Sequence, residues 1–157
     1  MAGKIVTAVI GVGNEYRRDD GVGLAVVRRV REAHLPFALM IESIRDGAAL
    51  IQAWEGAVCA FVVDCMVSGA PPGTILRWDA RAEPLPAQWR AEPSTHAFDI
   101  ARSVELARTL DMLPPTLVVY GIEGIDFSPG AGLTPAVETA AQEAAMRIIN
   151  EIRGVES

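Results

Sequence analysis

The sequence predicts an α/β fold of three layers: a five-stranded, mostly parallel twisted sheet with one antiparallel edge strand and helices on both faces. Apolar runs of strand length at residues 4–11, 37–44, 58–63 and 117–122 read as strands covered on both sides. The segments after the first two and the one before the last carry apolar residues at helical spacing, the alternation that parallel sheets require. The turn Gly69-Ala70-Pro71-Pro72-Gly73 is too short for a crossover helix, so Thr74 to Trp78 must run antiparallel at an edge. At 157 residues the chain is expected to form one domain, residues 1–157, of a size that buries about 70% of its unfolded surface.

Taken in order, the first strand runs into Gly11-Val12-Gly13 and then, past Asn14, into Asp19-Asp20-Gly21-Val22-Gly23. A helix over 20–33 follows, with Val22, Val26, Val27 and Val30 on one face. The second strand, 37–44, leads through the turn Asp46-Gly47 to a short helix at 48–54. The third strand, 58–63, is the most apolar and ends on Asp64. Prolines at 84, 86 and 93 exclude regular structure from 79 to 93, a long loop of the kind that usually carries function. Ser94 or Thr95 is expected to cap a helix reaching Leu110, with Ala97, Ile100, Val104 and Leu110 facing inward and His96 in its first turn. The strand at 117–122 passes through a glycine-rich loop to Thr134-Pro135, which opens a final helix ending near Arg153.

A net charge of -6 and a pI near 4.9, with no basic stripe, argue against nucleic acid or an anionic membrane as partner. The apolar runs fall short of the roughly 18 residues of a membrane span, and residues 5–12 lack the features of a signal peptide, so a cytoplasmic protein is expected. Cys59 and Cys65 are spaced unlike a redox or zinc motif and read as reduced core thiols.

The strand-to-glycine opening begins like a dinucleotide fingerprint, but position 16 is Tyr where the third glycine belongs. Asp19 and Asp20 would also repel a pyrophosphate at that helix end. One acid suffices for a helix terminus; two leave one for chemistry. In an open parallel sheet ligands bind at the carboxyl ends of the strands, and Asp20, Asp64 and His96 are each expected there, with Glu123 ending the last strand beside them. An acid closing a strand as apolar as Phe61-Val62-Val63 must be paired or bind something. Two carboxylates and one neutral imidazole suit nickel, zinc, manganese or iron, and spacing does not choose among them. Ser94, Ser128 and Cys65 lack the surroundings of a nucleophile, with no G-x-S-x-G elbow present.

These residues resemble the hydrogenase maturation proteases, which trim the C-terminal extension from the large subunit of nickel-iron hydrogenases. The resemblance covers nearly the whole chain: Gly11-Val12-Gly13-Asn14 with Arg18 to Gly23, then Asp64 with Gly69 and Pro72-Gly73, then Ser94-Thr95-His96, then Gly121-Ile122-Glu123 and Gly132-Leu133-Thr134-Pro135. It implies a nickel-dependent endopeptidase in which Asp20, Asp64 and His96 contact nickel supplied by the precursor rather than permanently bound. It also implies the hydrogenase large-subunit precursor as partner; a monomer is expected, and the sequence does not fix the oligomeric state. Asp46 matches an aspartate implicated in the family's activity, although Asp46-Gly47-Ala48-Ala49 departs from the usual Asp-Gly-Gly-Thr or Ser. Two other classes compete: a metal-sensing chaperone or binding module that holds the same precursor without cutting it, and a nucleotide-dependent α/β enzyme, disfavoured by Tyr16 and the acid pair.

Overall fold

The computed structural model describes residues 6–86, 89 and 99–156. β1 (Thr7–Val12) is followed by a 3-10 turn (Arg18–Gly21) and α1 (Val22–Arg31), then β2 (Ala38–Ile44), α2 (Gly47–Ala53) and β3 (Cys59–Met66). β4 (Ile75–Asp79), α3 (Ile100–Thr109), β5 (Thr116–Glu123) and α4 (Pro135–Glu156) complete the order. The sheet runs β2-β1-β3-β5-β4. β1 pairs in parallel with β2 and β3, β3 in parallel with β5, and β4 antiparallel with β5, as the short turn at 69–73 requires.

Alternation along the buried strands separates two cores. Val9, Phe61, Val63, Val118, Tyr120 and Ile122 point to one face, where Val22, Val26, Val27 and Val30 of α1 and the alanine-rich side of α4 cover them. Ala8, Ile10, Ala60, Val62, Leu117 and Val119 point to the other, under Leu50 and Ile51 of α2 and Ile100 and Val104 of α3. Each face is apolar because each is covered, which is why the strands read as continuous apolar runs rather than as alternation.

Four expectations are corrected. β3 continues through Cys65 and Met66 instead of stopping at Asp64, because β5 extends equally far and pairs with it to Met66↔Glu123. Asp19 and Asp20 lie in the 3-10 turn and α1 begins only at Val22. α3 is capped by Asp99, whose carboxylate accepts the Arg102 N–H at 3.2 Å, rather than by Ser94 or Thr95. Leu110 lies past the end of α3 and is 54% exposed instead of facing inward. Cys59 and Cys65 are free and buried, and burial raises the Cys59 thiol to about 11, keeping it protonated.

Candidate functional site

Because β1 connects to β2 on one side and β3 leads away on the other, the chain parts above the carboxyl ends of β1 and β3, the place where such sheets bind ligands. β1 pairs with β3 as far as Gly11↔Val63, so Asp64 is the first residue of β3 to rise past that ladder. It lies in step with Ala60 and Val62, which puts its side chain on the α2 and α3 face. The 3-10 turn reaches the same place from β1. Gly13 makes this possible: at φ +126 its Cα comes so near the Asp20 carbonyl oxygen that a Cβ would overlap it. Gly23 likewise lies against the Val63 and Val12 carbonyls, where a Cβ would clash, seating the start of α1 directly on the strand ends.

Four acids are buried at this edge: Asp19, Asp20, Asp64 and Glu123. Two of them are committed to holding the backbone. Glu123 accepts hydrogen bonds from the Ser68 N–H at 2.9 Å, the Ser68 hydroxyl at 2.6 Å and the Gly69 N–H at 3.2 Å, closing the turn between β3 and β4. Asp19, with no exposed surface, accepts from the N–H groups of Ile125 and Asp126, each at 3.0 Å, and from the N–H and hydroxyl of Thr134 at 2.8 and 3.0 Å. Its side chain lies against the α1 and α4 side of the edge, where a Cβ at Gly124 would be 3.0 Å from its own Cβ and 2.5 Å from the Cys65 sulfur.

Asp20 and Asp64 are placed differently. One Asp20 oxygen accepts the Asn14 N–H at 3.0 Å. Burial first, and then the negative charge of Asp20, push the Asp64 carboxyl well above the usual carboxylate range; a hydrogen bond from the Cys65 backbone pulls the other way, and Asp99 adds to the rise. The pair is therefore desolvated and mutually repulsive, an arrangement that a bound cation relieves. Its all-oxygen donors suit a hard or borderline divalent ion, nickel included when an imidazole joins them. Among the described residues no group of three or more histidine, cysteine or acidic side chains could hold a metal. His96 lies outside the described residues, as do Ser94, Thr95 and Ala97.

Asp46 caps α2, its carboxylate accepting the Ala49 N–H at 2.8 Å, and is exposed. It stands just past the end of β2, whose Ile44 carbonyl accepts the Gly13 N–H at 3.2 Å. Sequence reasoning did not single out Asp99, whose charge reaches Asp64, or the anchoring roles of Asp19 and Thr134; a cap position visible only once α3 is seen to start at 100 was the missing signal for the first.

A doubly wound sheet with two buried acids, Asp20 and Asp64, at its switch point defines the class: an α/β protein built on an open mixed sheet. The hydrogenase maturation protease family matches residues 24–151, and the chain belongs to it. Its activity class is accordingly that of an endopeptidase of hydrogenase maturation. Among relatives, the hydrogenase expression/formation protein HupD of Rhodobacter capsulatus is 27% identical over 149 residues, covering 92% of this chain and 70% of that one. The hydrogenase maturating endopeptidase HybD from E. coli superposes with a TM-score of 0.79 at 21% identity, over 96% of this chain and 94% of that one. The nickel-iron hydrogenase maturation protease HybD from Thermococcus kodakarensis gives 0.73 at 21%, over 94% and 99%. At that identity the two structures speak for the fold, the five-stranded mixed sheet included. Among the described residues no helix is long and apolar enough to cross a membrane.

Proposed function

We propose that this chain cuts the C-terminal extension from the large-subunit precursor of a nickel-iron hydrogenase after nickel has been inserted, and that Asp20, Asp64 and His96 contact the nickel carried by that precursor. The observation that supports this reading is the opposition of Asp20 and Asp64. Ionising Asp64 in its buried place beside the Asp20 charge is unfavourable in the free protein and becomes favourable when a dication arrives. A loaded precursor gains those contacts and an unloaded one does not, so the metal doubles as a checkpoint on the substrate. With two carboxylates, one imidazole and no thiolate, the site holds free metal only modestly, and the enzyme alone should purify largely metal-free.

Nickel delivered with the substrate supplies Lewis acidity, by polarising the scissile carbonyl or activating water. The protein's own residues orient it: Gly13 and Gly23 fix the turn that carries Asp20, and β3 fixes Asp64. Asp46, at the neighbouring strand end, is the candidate base.

The test uses purified precursor with and without nickel, and enzyme treated with a chelator that is then removed. Loss of the C-terminal extension, read by mass, should occur only with the loaded precursor and should survive chelation of the enzyme. A resident catalytic zinc predicts the reverse on both counts. A non-cleaving chaperone or binding module predicts complex formation with no change of mass.

A further inference from the structure

We propose that Asp19 is a positioning residue for Asp20: it fixes the 3-10 turn by fastening it to the β5–α4 loop and to the start of α4, so that the neighbouring carboxylate is held ready over Asp64. This rests on the reading that Asp20 and Asp64 meet the precursor's nickel.

Both oxygens of the buried Asp19 carboxylate are engaged by donors 106 to 115 residues away: Ile125 and Asp126 on Oδ2, and Thr134 on Oδ1. Those donors are neutral, and the Thr134 hydroxyl lies within 2.9 Å of the second oxygen as well. Thr134 also marks where α4 begins, since its carbonyl accepts the Glu138 N–H at 2.9 Å. The Asp19 charge therefore sits at the positive end of a 22-residue helix, acting as a cap borrowed from a distant segment.

The backbone repeats the connection. The Asp19 N–H donates to the Asp126 carbonyl at 3.0 Å, the Arg18 N–H to the Gly130 carbonyl at 3.0 Å, and the Gly130 N–H to the Tyr16 carbonyl at 2.9 Å. Guanidinium groups add two more ties, Arg17 to the Phe127 carbonyl at 3.2 Å and Arg18 to the Ala131 carbonyl at 3.1 Å. On the opposite side of the turn, Gly13 lies flush against the Asp20 backbone. The turn is thus gripped from both sides, and the residue between the two grips is Asp20. A carboxylate that must meet a metal fixed in a bulky protein substrate gains from such preorganisation, because orienting it at the moment of contact would draw on the binding free energy.

The experiment compares Asp19→Asn, Thr134→Val and Thr134→Ser in the full chain, each assayed at least about 15 °C below its own melting temperature, a margin of several kcal/mol. Asn keeps one acceptor oxygen but turns an N–H2 toward N–H donors. Val removes only the hydroxyl, and Ser restores it. Two quantities are read: kcat and KM on nickel-loaded precursor, and the affinity of the enzyme alone for nickel(II) in calorimetric titration. The expected result is a fall in kcat/KM of about tenfold or more for Asp19→Asn and about threefold for Thr134→Val, with nickel affinity falling in parallel. Thr134→Ser should return both quantities to within twofold of the parent. Unchanged kcat/KM and nickel affinity in folded Asp19→Asn and Thr134→Val would overturn the proposal, leaving Asp19 a stability anchor only. Asp20→Ala separates the two readings: if it too leaves nickel affinity and processing intact, the metal-contact assignment falls and this inference with it. Should Asp19→Asn fail to fold, the Thr134 pair decides alone.

Discussion

On the α1 and α4 side of the sheet edge a buried carboxylate, Asp19, is surrounded by donors; two more buried acids at that edge, Asp20 and Asp64, lie near enough for the charge of the first to raise the second. Adjacent residues of one turn thus end in opposite electrostatic circumstances. What separates them is where their neighbours' N–H groups point. The loop after β5 turns its amides at Asp19, whereas the β3 strand offers Asp64 the hydrogen bond from Cys65 and the field of another acid. An acid satisfied by neutral donors stabilises a fold; an acid raised by burial and by a neighbouring like charge weakens it once ionised.

The largest expected effect breaks the second region only. Asp20→Ala and Asp64→Asn should each lower processing of nickel-loaded precursor by about a thousandfold or more, roughly 4 kcal/mol in the barrier. Single-turnover cleavage followed by mass would show it. Rates within tenfold of the parent would remove the residue from the site.

Next in size, Asp19→Ala should break the first region. It leaves the N–H groups of Ile125, Asp126 and Thr134 without the buried carboxylate that accepts them, at a total cost of about 3 kcal/mol. Denaturant unfolding should report that loss without a change in m-value.

A smaller effect carries the opposite sign. The Asp64 carboxyl is raised in the folded protein, so its protonated form is favoured there over the unfolded chain. Its contribution to stability is complete below the ordinary carboxylate range and is lost as pH rises through the folded-state value. Asp64→Asn escapes that loss. The variant should be more stable than the parent at pH 7.5, with the gain vanishing near pH 4. A gain independent of pH would mean that packing, not charge, makes the difference.

The two regions were unequally legible in the sequence. Strand and helix positions followed from apolar runs and turn residues, and even the antiparallel β4 was forced by the length of 69–73. That Asp64 is special could be read from an acid following Phe61-Val62-Val63. Its place inside β3 could not, since strand length there depends on β5 reaching as far as Glu123. The separation of Asp19 from Asp20 was hidden for a related reason. Their roles are set by donors at 125, 126 and 134, and a contact across more than a hundred residues leaves no periodicity to detect. Leu110 was misread because the helical pattern runs on past Thr109, where the helix stops.

The smallest expected change in stability concerns Asp46, which belongs to neither region and touches both readings. As the cap of α2 it accepts the Ala49 N–H at 2.8 Å, a bond whose loss in Asp46→Ala costs about 1 kcal/mol. Asp46→Asn keeps the acceptor oxygen and the capping preference but cannot take up a proton near neutral pH. If Asp46 serves only the helix, Asn should restore both stability and processing while Ala lowers stability alone. If it is the base, Asn should restore stability and leave kcat reduced by about 100-fold. Chemical denaturation and kcat on the same three proteins separate these outcomes, and the base assignment is the expected one. Full activity in Asp46→Asn would return Asp46 to the scaffold and leave water activation to the metal edge alone.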